Sequence, residues 1–227
     1  MDTVKISRGS TKMVAHRGVS KLERENTCPA YLAAASRSYY GIETDVHPTR
    51  DGKLVTIHDE TLTRITSERY TLNVEQSDFS DFENIIRPDL DGSYVRRDVK
   101  VPLFSEYVRI CKKYGKRCIV EIKGLFSVEN IEKLISEIRE LDYLDGVVFI
   151  AFDLENCINV RRFLPDAEVQ YLVAGKPESN EEVTAILKEH RLDLDVYYKR
   201  LTKEWIDELH SAGIKVNCWT CDDPDWM

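Results

Sequence analysis

From Arg117 to Thr220 the chain alternates short apolar runs with amphipathic segments, and this regularity constrains its fold more than any other feature. Arg117 to Lys123 reads as a strand. Val128, Ile131, Leu134, Ile135, Ile138 and Leu141 then share one helical face behind Ser127, a natural N-cap. Further strands are predicted at Gly146 to Phe152, Glu168 to Val173, Leu192 to Tyr198 and Ile214 to Thr220. Helices lie between them: Leu154 to Phe163, a segment from the Ser179/Glu182 capping box to His190, and Thr202 to Ala212, stopped by Gly213. Upstream, Lys12 to Gly18 is a strand, Tyr31 to Tyr39 a helix behind Thr27 and Pro29, and Leu103 to Tyr114 another helix. Met1 to Thr11 reads as a short lead-in. Strict alternation implies a parallel sheet with helical crossovers, and seven strand–helix units favour a barrel over an open sheet. The expected fold is α/β, a TIM (β/α)8-type barrel forming a single domain over residues 1–227. The pattern stops at Asp222 to Met227, where another helix should begin, so the final helix and strand are expected to be missing.

The second strand belongs to a hairpin that carries chemistry. In Gly41 to His47, Ile42, Thr44 and Val46 alternate with Glu43, Asp45 and His47, placing two carboxylates on one face. Asp51-Gly52 marks a turn and Leu54 to Ile57 a returning arm. A turn centred on Arg50-Asp51 sets His58 opposite Glu43. An acid pair on one strand is ordinarily a solvated face. Pointing inward, the same pair needs a compensating charge, and a hard divalent cation suits carboxylate oxygens. Residues 60 to 101 are polar and irregular. They read as part of an insertion over about 46–104, whose Phe79, Phe82, Ile85 and Ile86 form a small core of their own.

The remaining charged residues decide between these readings. Barrel enzymes gather their reactive groups at the C-terminal ends of the strands. There the first strand ends in His16 and Arg17, the second carries Glu43 and Asp45, and the hairpin's return arm ends in His58. Glu121 and Lys123 follow on one face of the third barrel strand, and Trp219 ends the last visible strand. Glu43, Asp45 and Glu121 offer oxygen ligands for Mg²⁺ or Ca²⁺. His16 and His58 can share acid and base roles in displacement at phosphorus. Arg17 and Lys123 suit phosphate oxygens, and Trp219 is taken with them as a substrate-binding position. His47 is expected near the site, and His190 and His210 on helices away from it.

Charge and composition narrow the partners. Against 32 basic residues stand 40 acidic ones, a formal charge of −8, which disfavours a nucleic-acid surface. No apolar run is long enough to span a bilayer and no signal-peptide core follows Met1, so a cytoplasmic protein without an integral membrane segment is expected. The six cysteines include one CxxC, Cys218 and Cys221, without a second pair at zinc spacing. They read as reduced thiols.

The ordered set His16-Arg17-Gly18, Glu25-Asn26-Thr27, Ile42-Glu43-x-Asp45-Val46, Asp51-Gly52, His58-Asp59 and Glu121-Ile122-Lys123 resembles the glycerophosphodiester phosphodiesterase family. The resemblance runs from about Val14 to Trp219. It implies a metal-dependent phosphodiesterase on a TIM barrel with a small insertion after strand two, cleaving small-molecule glycerophosphodiesters to sn-glycerol 3-phosphate and an alcohol. By the same resemblance, Glu43, Asp45 and Glu121 would hold the metal, His16 and His58 would do acid–base work, and Arg17 and Lys123 would contact phosphate. Two rivals stand beside it: a phospholipase D-like enzyme on lysophospholipids or sphingomyelin, and an inactive barrel kept as a binding module. A greasy groove near residues 60 to 101 would favour the first, and loss of a ligand or histidine the second.

Overall fold

The computed structural model describes residues 5, 11–175 and 178–221. Most of the expected lead-in, and all of Asp222 to Met227, lie outside the described residues. Seven strands run parallel: β1 (Val14–Ala15), β2 (Gly41–Pro48), β4 (Arg117–Ile122), β5 (Val147–Ala151), β6 (Glu168–Val173), β7 (Asp193–Tyr197) and β8 (Val216–Trp219). β3 (Leu54–Thr56) stands off this path, antiparallel to β2. Among the described residues six α-helices connect the strands: α1 (Cys28–Ala35), α2 (Phe104–Tyr114), α3 (Val128–Glu140), α4 (Leu154–Phe163), α5 (Asn180–His190) and α6 (Lys203–Ser211). Among the described residues β1 and β8 each pair on one side only. The seven-unit alternation is therefore present as an open, incomplete barrel.

The pleat sorts each strand between two cores. One set of alternate residues, among them Ile42, Val46, Val120, Phe149 and Val169, packs with the helices. The other set fills the lumen, where Ile119, Val148, Ile150 and Leu172 form a cluster with Val14 and Trp219 against it. Such two-sided burial is what parallel strands covered by helices require. Tyr107 of α2 ties the outer layer together. Its ring meets Tyr31 of α1 edge-on at 4.9 Å, and its hydroxyl donates to the Ile42 carbonyl at 2.6 Å. At Gly41 a Cβ would lie 2.4 Å from the Ile119 side chain and 2.9 Å from the Arg117 carbonyl oxygen. Only glycine lets β2 approach β4 so closely there.

Three local expectations are corrected. The first strand stops at Ala15 because Arg17 takes a positive φ of 55° and Gly18 N–H turns back to the Ala15 carbonyl. The first helix starts at Cys28, capped by Thr27 as expected, but ends at Ala35. Ser36 Oγ and the Arg37 guanidinium both bond back to the Ala33 carbonyl, competing with continuation of the helix. In the hairpin, Val46 faces Thr56, which extrapolates to His58 opposite Thr44 instead of Glu43. The loop is the three residues Arg50-Asp51-Gly52, closed by Thr49 N–H to the Lys53 carbonyl, with Gly52 at φ 72°. Its odd length moves the centre of symmetry by half a residue.

The insertion has its own core of Val55, Ile57, Leu62, Ile65, Val74, Phe82 and Val101, with Phe79 and Ile85 packed against it. Ile86 instead lines an open groove.

Candidate active site

The β2–β4 register puts Asp45 directly beside Glu121, with Glu43 one pleat below on the same lumen face. Nearest ligand atoms of Glu43, Asp45 and Glu121 all lie within 4.8 Å of one another, and all three residues are buried. That spread is the compass of a single ion whose oxygen bonds run about 2.0–2.6 Å. Among the described residues Glu43 Oε1 and Asp45 Oδ1 are buried and accept no hydrogen bond, Asp45 Oδ1 having only the Lys123 ammonium 3.5 Å away. Orphaned carboxylate oxygens of this kind are costly unless a cation takes them. The donor set, all hard oxygen, fits a divalent cation such as Mg²⁺ or Ca²⁺.

The turn after β1 closes the cluster from above. Gly18, at φ 78°, sits so near α1 that a Cβ would be 2.7 Å from Ala30. This holds Arg17 over the acids: its backbone N–H donates to Glu43 Oε2 at 2.8 Å, and its Nε lies 3.3 Å from Asp45 Oδ2. His16 Nε2 stands 3.9 Å from Glu43 Oε2. From β4, Lys123 Nζ is 2.8 Å from Glu121 Oε1 and 3.5 Å from Asp45 Oδ1.

His58 enters on the insertion side, carried toward Asp45 by the Ile57 N–H bond to the Asp45 carbonyl. Its Nδ1 is 2.7 Å from Asp59 Oδ1. Asp59 is in turn gripped by Arg64 through Nε at 2.6 Å and Nη2 at 3.1 Å. Burial works against the Asp59 charge, but Arg64 and His58 outweigh it and hold the carboxyl down at about 2. Asp59 is therefore an ionised acceptor, and His58 donates to it through Nδ1. Arg64 also reaches Glu25 Oε1 at 2.8 Å, and Glu25 meets Arg17 Nη1 at 3.2 Å. One chain of charges thus runs from His58 to Arg17.

Several supporting residues escaped the sequence reading. Asn26 Nδ2 donates to Asp45 Oδ2 at 2.7 Å, while its Oδ1 accepts from Tyr31 and Thr44. Asn26 stood inside the Glu25-Asn26-Thr27 triplet, yet nothing in the sequence assigned it a partner. Arg64 carried no signal at all. His47, placed near the site from sequence, is buried with Nδ1 3.1 Å from Glu75 Oε1 and Nε2 3.3 Å from the His58 carbonyl, so it braces the backbone of His58. Trp219 joins an aromatic group with Phe152 and Tyr197, ring centroids 5.6 Å from each. On the lumen face of β7, Asp195 accepts from Asn217 at 3.1 Å. Burial, with Glu121 adding repulsion, pushes its carboxyl up to about 8.

Crowding three acids together separates their protonation. Burial and the neighbouring acids raise Glu43 well above the ordinary carboxylate range and lift Glu121 to about 7. Burial also opposes charge on Asp45, but Arg17 and Lys123 overcome it and keep that carboxyl below its usual value. A carboxyl raised on folding contributes stability present below its unfolded pKa, about 4.5, and lost as pH rises through the folded one. The metal-free protein is therefore expected to lose stability as pH rises from about 4.5 toward 7, through the coupled ionisation of Glu121 and its neighbouring acids, and a divalent cation to restore it. Urea unfolding at pH 5 and pH 7.5, with EDTA and with cation, checks this. Equal stability at both pH values in EDTA would contradict it.

Comparison with known proteins agrees with this geometry. The model of the glycerophosphoryl diester phosphodiesterase family matches residues 16–227. A glycerophosphodiester phosphodiesterase of Caldanaerobacter subterraneus subsp. tengcongensis is 29% identical over 222 residues, covering 96% of this chain and 88% of that protein. A crystal structure of a glycerophosphodiester phosphodiesterase from Parabacteroides distasonis, 27% identical, superposes with a TM-score of 0.77 over 96% of this chain and 87% of that one. At 20% identity, an Oleispira antarctica phosphodiesterase solved with sn-glycerol-3-phosphate shares the fold, with a TM-score of 0.83 over 95% and 87% of the two chains. With its buried carboxylate cluster on the strand ends of an α/β barrel, and a family match that reaches from His16 to Met227, the chain belongs to the glycerophosphoryl diester phosphodiesterase family.

Proposed function

We propose that this chain hydrolyses glycerophosphodiesters to sn-glycerol 3-phosphate and an alcohol. In this reading Glu43, Asp45 and Glu121 hold one Mg²⁺ or Ca²⁺, His16 and His58 exchange protons, and Arg17, Lys123 and Trp219 bind the substrate. The observation that carries it is the convergence of three buried carboxylates with a histidine–aspartate pair, a second histidine and two cationic side chains. The Caldanaerobacter relative bears the same activity in its name, and the Oleispira structure holds the same product. Residues 1–227 act as one barrel domain, with residues of about 46–104 as the insertion. A cytoplasmic setting is supported by six free cysteines.

When bound, the cation supplies positive charge to a phosphate oxygen and lowers the cost of forming an alkoxide. The protein's own groups do the rest. One imidazole removes the proton of the attacking hydroxyl and the other protonates the departing alcohol oxygen. Arg17 and Lys123 offset the charge that gathers on the phosphate oxygens. If the glycerol 2-hydroxyl attacks, its oxygen bonds to phosphorus as the alcohol leaves, and water then opens the cyclic phosphate.

The test is release of glycerol 3-phosphate from glycerophosphocholine by the purified chain, with Mg²⁺, with Ca²⁺ and with EDTA. Turnover is expected with a cation and none in EDTA. Phosphorus NMR of the same reaction shows a transient cyclic phosphate if the 2-hydroxyl attacks, and none if water does. One observation favours the lysophospholipid reading: the insertion carries an open groove of about 780 Å³ touching Tyr70, Leu72, Ile85, Ile86 and Tyr94. Polar and charged residues, Arg69, Asp81 and Asn84 among them, share the groove, and none of the site residues lines it. Cleavage of lysophosphatidylcholine but not glycerophosphocholine would reverse the preference.

A further inference from the structure

Beside the charge relay, the insertion and the loop after β1 enclose a cavity of about 160 Å³ lined by Ser20, Arg24, Glu25, Arg64, Ser67 and Arg87. Three guanidinium groups against one carboxylate leave the walls net positive. Arg64 is committed to Asp59 and Glu25. The other two feel nearby acids, Arg87 the charge of Glu25 and Arg24 that of Asp91, but neither donates a hydrogen bond to a carboxylate among the described residues. Among the described residues Arg24 donates to the carbonyls of Pro88, at 2.7 Å, and Asp89, at 2.5 Å. Arg87 is 2% exposed and donates through Nη1 to the Glu25 carbonyl at 2.8 Å, while its Nε has no acceptor.

A buried guanidinium whose hydrogen bond goes to a neutral carbonyl, with its Nε unpaired, is an expensive arrangement. Burial, with Arg24 and Arg64 adding repulsion against the pull of Glu25, pushes the Arg87 pKa down to about 10. Nothing in the barrel's packing demands a charge here, since a carbonyl can be bridged by a neutral donor. What the arrangement does suit is an oxyanion. Guanidinium forks match tetrahedral oxygen geometry, and Ser20 and Ser67 line the same space with hydroxyl donors. The volume is far above the roughly 15 Å³ that one water needs.

We propose that this cavity is a binding site for a phosphate-sized oxyanion, either free phosphate or the phosphate end of a monoester, held by Arg24 and Arg87. It is separate from the carboxylate cluster, with which it shares no residue, and its test does not depend on turnover.

The experiment is calorimetric titration of the full chain, stripped of cations with EDTA, with inorganic phosphate in one arm and glycerol 3-phosphate in the other. Arg24→Gln, Arg87→Gln and, at the carboxylate cluster, Lys123→Gln are titrated in parallel. Saturable binding of at least one anion is expected, weakened about tenfold by Arg24→Gln and by Arg87→Gln, whereas Lys123→Gln weakens only the separate binding of glycerol 3-phosphate at the carboxylate cluster. The arm whose Arg24-dependent binding is tighter names the source of the anion. Arg24 is partly exposed, so Arg24→Gln decides the matter should Arg87→Gln fail to fold. Absence of saturable binding in both arms overturns the proposal. So does a titration in which all the binding is weakened by Lys123→Gln and left intact by Arg24→Gln.

Discussion

Replacing His16 or His58 with alanine is expected to lower kcat about 10²- to 10⁴-fold while leaving cation affinity nearly unchanged. Neither imidazole belongs to the carboxylate cluster, and each meets it from a different side: His16 from the turn after β1, His58 from the insertion. Both are about one-third exposed, so truncation leaves no buried void and the fold should survive. Asp59→Asn should cost less than His58→Ala, because it removes the anion that fixes the tautomer but keeps the ring. Steady-state kinetics on glycerophosphocholine, beside a calorimetric cation titration of each variant, checks this. Full activity in either alanine variant would remove that histidine from the chemistry. Loss of cation binding along with activity would mean that the histidines serve the metal instead.

Glu43→Gln is expected to abolish turnover and yet make the metal-free protein more stable, by roughly 1–3 kcal/mol at pH 7. Glu43 is 5% exposed, one of its oxygens accepts nothing, and Asp45 and Glu121 repel its charge. A glutamine keeps the volume, and its carbonyl oxygen can still accept from Arg17 N–H. What disappears is the cost of taking up a proton on folding that the raised carboxyl imposes. Cation affinity should fall at least about 100-fold, since loss of mere supporting hydrogen bonds around a metal already costs 10- to 100-fold. Asp45→Asn should behave oppositely in stability, because Asp45 is ionised and paired with Arg17, Lys123 and Asn26. Thermal unfolding of both variants in EDTA separates the two cases. A Glu43→Gln protein less stable than the parent in EDTA would show that this carboxylate is compensated without a cation.

Much of this site could be read before any coordinates. His16, Arg17, Glu43, Asp45, Glu121 and Lys123 were legible because a barrel converts position at a strand's end into position at one rim. Parallel pairing then sets Asp45 beside Glu121, a juxtaposition of residues 76 positions apart that follows once β2 and β4 are known to be neighbours. His58 was found for the right reason in the wrong register, because a three-residue loop and a two-residue loop look alike in Asp51-Gly52. Asn26, Arg64 and Arg87 were not legible. Their partners are Asp45, Asp59 with Glu25, and the Glu25 carbonyl, and no periodicity connects an irregular insertion to the loop it covers.

The sequence by itself determined the strand–helix alternation, the caps at Thr27, Ser127 and Ser179, and the set of acids and bases available for chemistry. These depend on local periodicity and on residue type, which the chain states directly. Tertiary structure alone decided which oxygens are left without hydrogen bonds, which carboxyl stays ionised, and which arginine is buried without a hydrogen bond to an acid. Those outcomes follow from burial and from charges brought within a few ångströms of each other by distant segments, and the energy of a charge depends on what surrounds it in space.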